Sequence, residues 1–194
     1  MFRRHFLTLA LASIAAPSMG VSQPYGLAPG RSTITYTFVL NGNRVRGTVP
    51  ITQADLTVDP NNLAASTADV TADVRAARTG LIFATEALKS ASVLNTADFP
   101  LARFRSTQVI LGPGGRISDG AALRGDLTLR GVTRPVQFKA GLFRTRGSTS
   151  NDLSALSVQL SGQINRRDFG AVGYPDLVDD IVGIDIAAEI SANG

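Results

Sequence analysis

The chain contains no cysteine, and its single histidine stands at position 5. That position belongs to a leader rather than to a fold. Met1-Phe2-Arg3-Arg4-His5 is a positively charged start, and Phe6 to Ala16 is an apolar run too short to span a bilayer. Small residues at Ser18, Gly20 and Ser22 supply cleavage points, so residues 1–22 read as an export signal and 23–194 as one domain. Arg3-Arg4-His5-Phe6-Leu7 fits the core of a twin-arginine signal as well as an ordinary secretory one. The location expected from this is the periplasm. Cleavage leaves a protein with neither thiol nor imidazole. Ser-His-Asp and Cys-His nucleophiles are then excluded, as are zinc sites built on His or Cys and disulfides, which the exported compartment would otherwise permit. Charge of one sign is also lacking. Without Arg3 and Arg4, seventeen basic residues stand against fifteen acidic ones, which gives no case for nucleic acid. No integral membrane span is expected after the leader.

What is present is alternation with period two. Ile34, Tyr36, Phe38 and Leu40 alternate with threonines, and Asn41-Gly42-Asn43 is a hairpin signal. Val45, Gly47, Val49 and Ile51 continue on the next strand, followed by Ala54 to Val58 before the Asp59-Pro60 turn. Val70 to Val74 form another strand. Phe104, Ser106, Gln108 and Ile110 share one face of the strand after it. Leu127 and Leu129 precede a turn at Gly131, and Val136, Phe138, Ala140 and Leu142 follow it. Pro135, with no N–H to donate, belongs at a strand start or on an edge. Leu156 to Ile164 and Val182 to Ile190 are the last two strands. Gly80 to Asn95 breaks the period and holds helix formers, so a short helix is expected there. The pattern predicts an all-β fold, an antiparallel up-and-down β-barrel of about eight strands with a short helical insertion. A β-sandwich is the alternative from pattern alone.

Four segments carry more than periodicity. Leu127-Thr128-Leu129-Arg130-Gly131-Val132-Thr133-Arg134-Pro135-Val136 resembles the LTLxGVTRPV signature of the YceI-like family. Leu56-Thr57-Val58-Asp59-Pro60, Phe99-Pro100-Leu101-Ala102-Arg103-Phe104-Arg105-Ser106-Thr107 and Asn165-Arg166-Arg167-Asp168-Phe169-Gly170 are similar to three further motifs of that family, in the same order. The resemblance covers roughly residues 31 to 191. Two segments depart from it: Val39-Leu40-Asn41-Gly42-Asn43 lacks the His usual near there, and Phe83-Ala84-Thr85-Glu86-Ala87-Leu88 lacks the usual charged stretch. The resemblance implies a lipocalin-like barrel that carries an isoprenoid, quinone-like or fatty amphiphile, with the head group near its mouth and without cofactor or metal.

On the residues alone, a barrel of about eight strands either fills itself or holds one ligand. Inner faces that mix Phe38, Phe104, Phe138 and Leu142 with Gly47, Ala102, Ala140 and Gly162 fit a packed taper or a tunnel. Ten buried CH₂ groups would contribute roughly 8 kcal/mol before ordering costs, enough for binding without any catalytic group. The motif positions Phe104, Leu127, Leu129, Val136, Phe138 and Phe169 are the candidate ligand contacts that the resemblance implies. The apolar faces add Tyr36, Phe38, Leu142, Ile164 and Ile184, and Phe83 on the helix is placed as a lid. For Phe169 a plug packing beneath the Asp168–Gly170 turn is the first reading and a ligand contact the second. Arg166, Arg167 and Arg134 could meet an anionic head group, and an Arg166–Asp168 pair inside the turn is the competing reading. An enzyme would need carboxylates such as Glu86 and Asp98, or Asp176, Asp179 and Asp180, whose spacing does not match a calcium loop such as the EF-hand. A solid barrel acting as a protein-interaction or stress-response module is the remaining alternative, and a homodimer is compatible with either.

Overall fold

The computed structural model describes residues 22–115, 117, 120–145, 147–149 and 152–193. Apart from Ser22, the segment read as an export signal lies outside them. The elements in chain order are β1 (Gln23–Leu40), β2 (Asn43–Val49), β3 (Ile51–Val58), β4 (Thr67–Asp73), β5 (Arg78–Thr79), α1 (Ile82–Lys89), β6 (Leu101–Ile110), β7 (Ala121–Leu129), β8 (Val132–Arg144), β9 (Ala155–Asn165) and β10 (Ile181–Ala192). Every pairing is antiparallel, and the sheet closes where β10 returns to β1.

Ten strand segments make an eight-membered ring because two members are interrupted. β1 pairs with β2 along Ile34–Leu40 and with β3 along Gln23–Tyr25. Pro50 separates β2 from β3, where the period-two pattern alone runs through to Ile51 without a break. A 3₁₀ turn at Val74–Ala76 divides β4 from β5 in the same way, β4 pairing with β3 and β5 with β2. The β-sandwich alternative is therefore wrong: closure leaves no second sheet to pack against.

The turns follow from their residues. Asn41 and Gly42 both take positive φ, 49° and 76°, the pairing that a two-residue hairpin loop requires. Arg130 and Gly131 repeat it at 51° and 73°, and the Phe99 ring lies against Gly131, leaving no room for a side chain there. Pro135 is inside β8, opposite Asp126. It meets no penalty, because β8 pairs with β9 only from Lys139 onward and Pro135 therefore borders an unpaired flank.

One face assignment changes. A bulge between Ser106 and Gln108 inverts the alternation of β6. Val109, expected outside, turns into the barrel, while Gln108 faces out and accepts a hydrogen bond from Arg124. On the outer surface Arg103 and Arg105 both meet Asp69, Arg103 through a two-pronged pair at 2.7 and 2.6 Å.

Candidate functional site

The barrel has two unlike ends. At the end where β1 starts, Tyr25, Val58, Leu156 and Ile190 form a buried cluster, and the Tyr25 hydroxyl donates to the Leu153 carbonyl at 2.7 Å. This end is sealed by packing. At the other end lie the Asn41-Gly42 turn, α1 with the segment to Pro100, the Arg130-Gly131 turn and the connection from Arg166 to Asp180. A second cluster of Tyr36, Phe38 and Val45 sits beneath them, with Leu88, Val178 and Ile184 against it.

Between the clusters is a cavity of about 450 Å³. That lies inside the ~300–1,000 Å³ range of small-molecule sites. Its wall is almost entirely aliphatic and aromatic. Ten of the twelve candidate contacts border it: Tyr36, Phe38, Phe83, Phe104, Leu127, Leu129, Phe138, Leu142, Ile164 and Ile184. Two do not. Phe169 is fully buried in the 3₁₀ turn Arg166–Phe169, which contacts β8, and it does not border the cavity. Val136 is opposite Gly125, and the Phe104 ring covers that glycine. Pattern reading also misses wall residues that only closure brings in, among them Val109, Val93 and Leu177. The first needs the bulge to be seen; the others sit on connections with no period to read.

The inner glycines are not gaps. A side chain at Gly47 would collide with the Tyr36 ring and the Arg78 carbonyl; one at Gly125 would meet Phe104, and one at Gly162 would meet Phe138 at 2.7 Å. Each glycine is the seat of a ring from the neighbouring strand. Phe104 and Phe138 then meet edge to face, with centroids 5.6 Å apart at 73°. The cavity is the space these seated rings leave along the axis.

Few polar groups reach the wall, and two of them, Tyr36 and Arg166, are engaged by backbone carbonyls. The Tyr36 hydroxyl donates to the Arg78 carbonyl at 3.1 Å, and burial pushes its phenol well above the usual range. Arg166 is 5 % exposed. It pairs with neither Asp168 nor an exposed anion site. Its guanidinium donates to the carbonyls of Asp179 (3.1 Å), Ala171 (2.7 Å), Gly173 (2.7 Å) and Val178 (2.9 Å), with Asp180 at 3.4 Å. Burial first, opposed by Asp180, holds its pKa below the ordinary arginine value. Arg167 takes Asp180 at 2.6 Å, and Arg134 donates to the Thr133 carbonyl. Among the described residues no group of three or more His, Cys, Asp or Glu side chains is arranged to hold a metal ion, and no helix is long and apolar enough to cross a membrane.

Several known proteins share this architecture. A BcnA crystal structure from Burkholderia cenocepacia superposes with a TM-score of 0.71 at 17 % identity, covering 84 % of this chain and 99 % of that one. A polyisoprenoid-binding domain from Saccharophagus degradans, implicated in plant cell wall breakdown, gives 0.61 at 12 % identity, over 88 % and 99 %. At these identities the likeness is one of fold. In sequence, the protein YceI of Escherichia coli O157:H7 is 33 % identical over 123 residues, 63 % of this chain and 61 % of that protein. The alignment thus spans less than two thirds of the relative's length. The model of the YceI-like domain matches residues 25–190, from Tyr25 to Ile190 of the sealed cluster, and the chain belongs to the YceI-like family.

Proposed function

We propose that the protein binds and carries a long-chain isoprenoid or a similar amphiphile, its apolar chain held in the barrel cavity. The cavity itself carries this reading. A solid barrel would bring large side chains together in every layer, whereas here a continuous apolar space runs between the two clusters. Among the described residues the one charge at the wall, Arg166, is engaged by backbone carbonyls, as is the neutral Tyr36 hydroxyl. Such a wall selects for length and shape of hydrocarbon and leaves the head group outside. The name of the Saccharophagus degradans domain points the same way, to polyisoprenoids. An export leader would place the protein where such chains leave a membrane, and binding without chemistry needs none of the groups this chain lacks. The test is to fill the space. Ala140 borders the cavity, and Ala140→Phe should weaken binding of a fluorescent polyene fatty acid at least about tenfold, equivalent to 1.4 kcal/mol. Unchanged affinity in a folded variant would contradict the reading.

A further inference from the structure

Exposed apolar side chains are unevenly placed. Nine large ones stand exposed among the described residues, and eight lie at the α1 end; Phe143 alone is at the other. Leu81, Ile82 and Phe83 are three in a row, with Ile82 87 % and Phe83 66 % exposed. A run of this kind is a fault in a soluble surface unless it has a use. Val172, Tyr174 and Leu177 rise beside it from the connection after β9, which is tied to the α1 segment by Gly173 N–H donating to the Ser92 carbonyl at 2.7 Å. Phe83, Tyr174 and Leu177 are exposed and also border the cavity. The apolar wall therefore continues to the outside without a polar break.

We propose that this end docks on a phospholipid bilayer, with Ile82 and Phe83 entering the acyl layer, so that an apolar chain passes between bilayer and cavity without crossing water. The passage rests on the carrier reading above; the docking does not. The shape of the patch favours a bilayer over a protein. Its side chains come from α1, from the strand ends at Leu101 and Ile181 and from the connection after β9, so they protrude separately rather than along one strand or helix face that a peptide could follow. A fluid layer accepts such scattered protrusions, and a tyrosine at the rim suits its interface. Basic Arg44, Arg78 and Lys89 share this end with acidic Glu86, Asp98 and Asp176, so contact should be apolar rather than electrostatic. The chain's own N-terminal segment joins the barrel at the opposite end, at Gln23.

The chain has no tryptophan, so one introduced indole reports alone. With phosphatidylcholine vesicles, the emission of Ile82→Trp should shift to the blue and be quenched by brominated acyl chains, in high salt as in low. Phe143→Trp, at the far end, should show neither. Unshifted emission from the Ile82→Trp protein overturns docking, as does an equal response of both reporters, which would mark adsorption through another segment. A shift in Ile82→Trp that appears without vesicles and scales with protein concentration overturns it in favour of a second copy. Ile82 does not border the cavity. Ile82→Asp should therefore slow transfer of the polyene fatty acid from vesicles at least tenfold while leaving its affinity from ethanol solution unchanged. If no lipid is taken up by any route the carrier reading fails, and the emission of the Ile82→Trp reporter still decides docking.

Discussion

Replacing Arg166 with methionine keeps a side chain of similar length in the α1 end but removes its internal donor. Four backbone carbonyls, those of Ala171, Gly173, Val178 and Asp179, lose a charged partner at once. Hydrogen bonds to charged groups are each worth about 1.5–3 kcal/mol, but these four share one side chain and their carbonyls can partly rehydrate. A buried acceptor left unsatisfied costs about 1–3 kcal/mol, so with partial rehydration we take about 3–5 kcal/mol for the four together. At roughly 2–4 °C per kcal/mol for a domain of this size, the melting temperature should fall by about 6–20 °C. The damage should be local first. Amides of Asn41, Gly173 and Asp179, which donate to Leu177, Ser92 and Val39, hold the connection to the barrel and should exchange faster. Arg166→Lys should recover only part, since a point charge with three donors cannot cover this spread of acceptors. Urea titration gives the first number and amide exchange the second. A loss under about 1 kcal/mol with unchanged protection would refute the clamp.

Three further outcomes follow from the geometry. Gly47→Ala would push a methyl into the Tyr36 ring and should cost at least about 1–3 kcal/mol in urea denaturation, although alanine has the better strand entropy. Phe138→Ala should cost about 3–5 kcal/mol, because a buried ring is lost beside a space that cannot collapse onto it. The Asp69 carboxyl is held below its ordinary value of 3.8, chiefly by hydrogen bonding from Arg103. A lowered folded pKa means its contribution is complete above that ordinary value and lost as pH falls through the folded one. Asp69→Asn should therefore be slightly less stable than the parent at neutral pH, and the two should converge in strong acid; a gap that widens on acidification would contradict the pairing.

How far the sequence can be read depends on the range of the interaction. Period two and the glycine turns are local, and they locate the strands from Ile34 to Ile190 and the hairpins at Asn41-Gly42 and Arg130-Gly131. Pro50 is visible in the sequence, yet Val49 and Ile51 around it keep the apolar pattern, which hides the break in the second member. The bulge after Ser106 has no composition signal, and it decides whether Gln108 or Val109 faces inward. Glycines facing aromatics read equally as gaps or as seats until strand register shows which ring lies over which glycine. Arg166 is the sharpest case. Its neighbour in sequence, Asp168, is the natural partner, but the 3₁₀ turn sends Arg166 inward to carbonyls five to thirteen residues away. No local pattern encodes a clamp made after the chain has returned.

The carrier role proposed for the barrel depends on its cavity holding an apolar chain. Native mass spectrometry of the protein, isolated from its expressing cells without detergent and followed by organic extraction, tests it most directly. A carrier should give a stoichiometric adduct that is released as an isoprenoid or similar long-chain species and is lost in Ala140→Phe. A bare mass, unchanged after incubation with polyprenyl and fatty lipids, would contradict it.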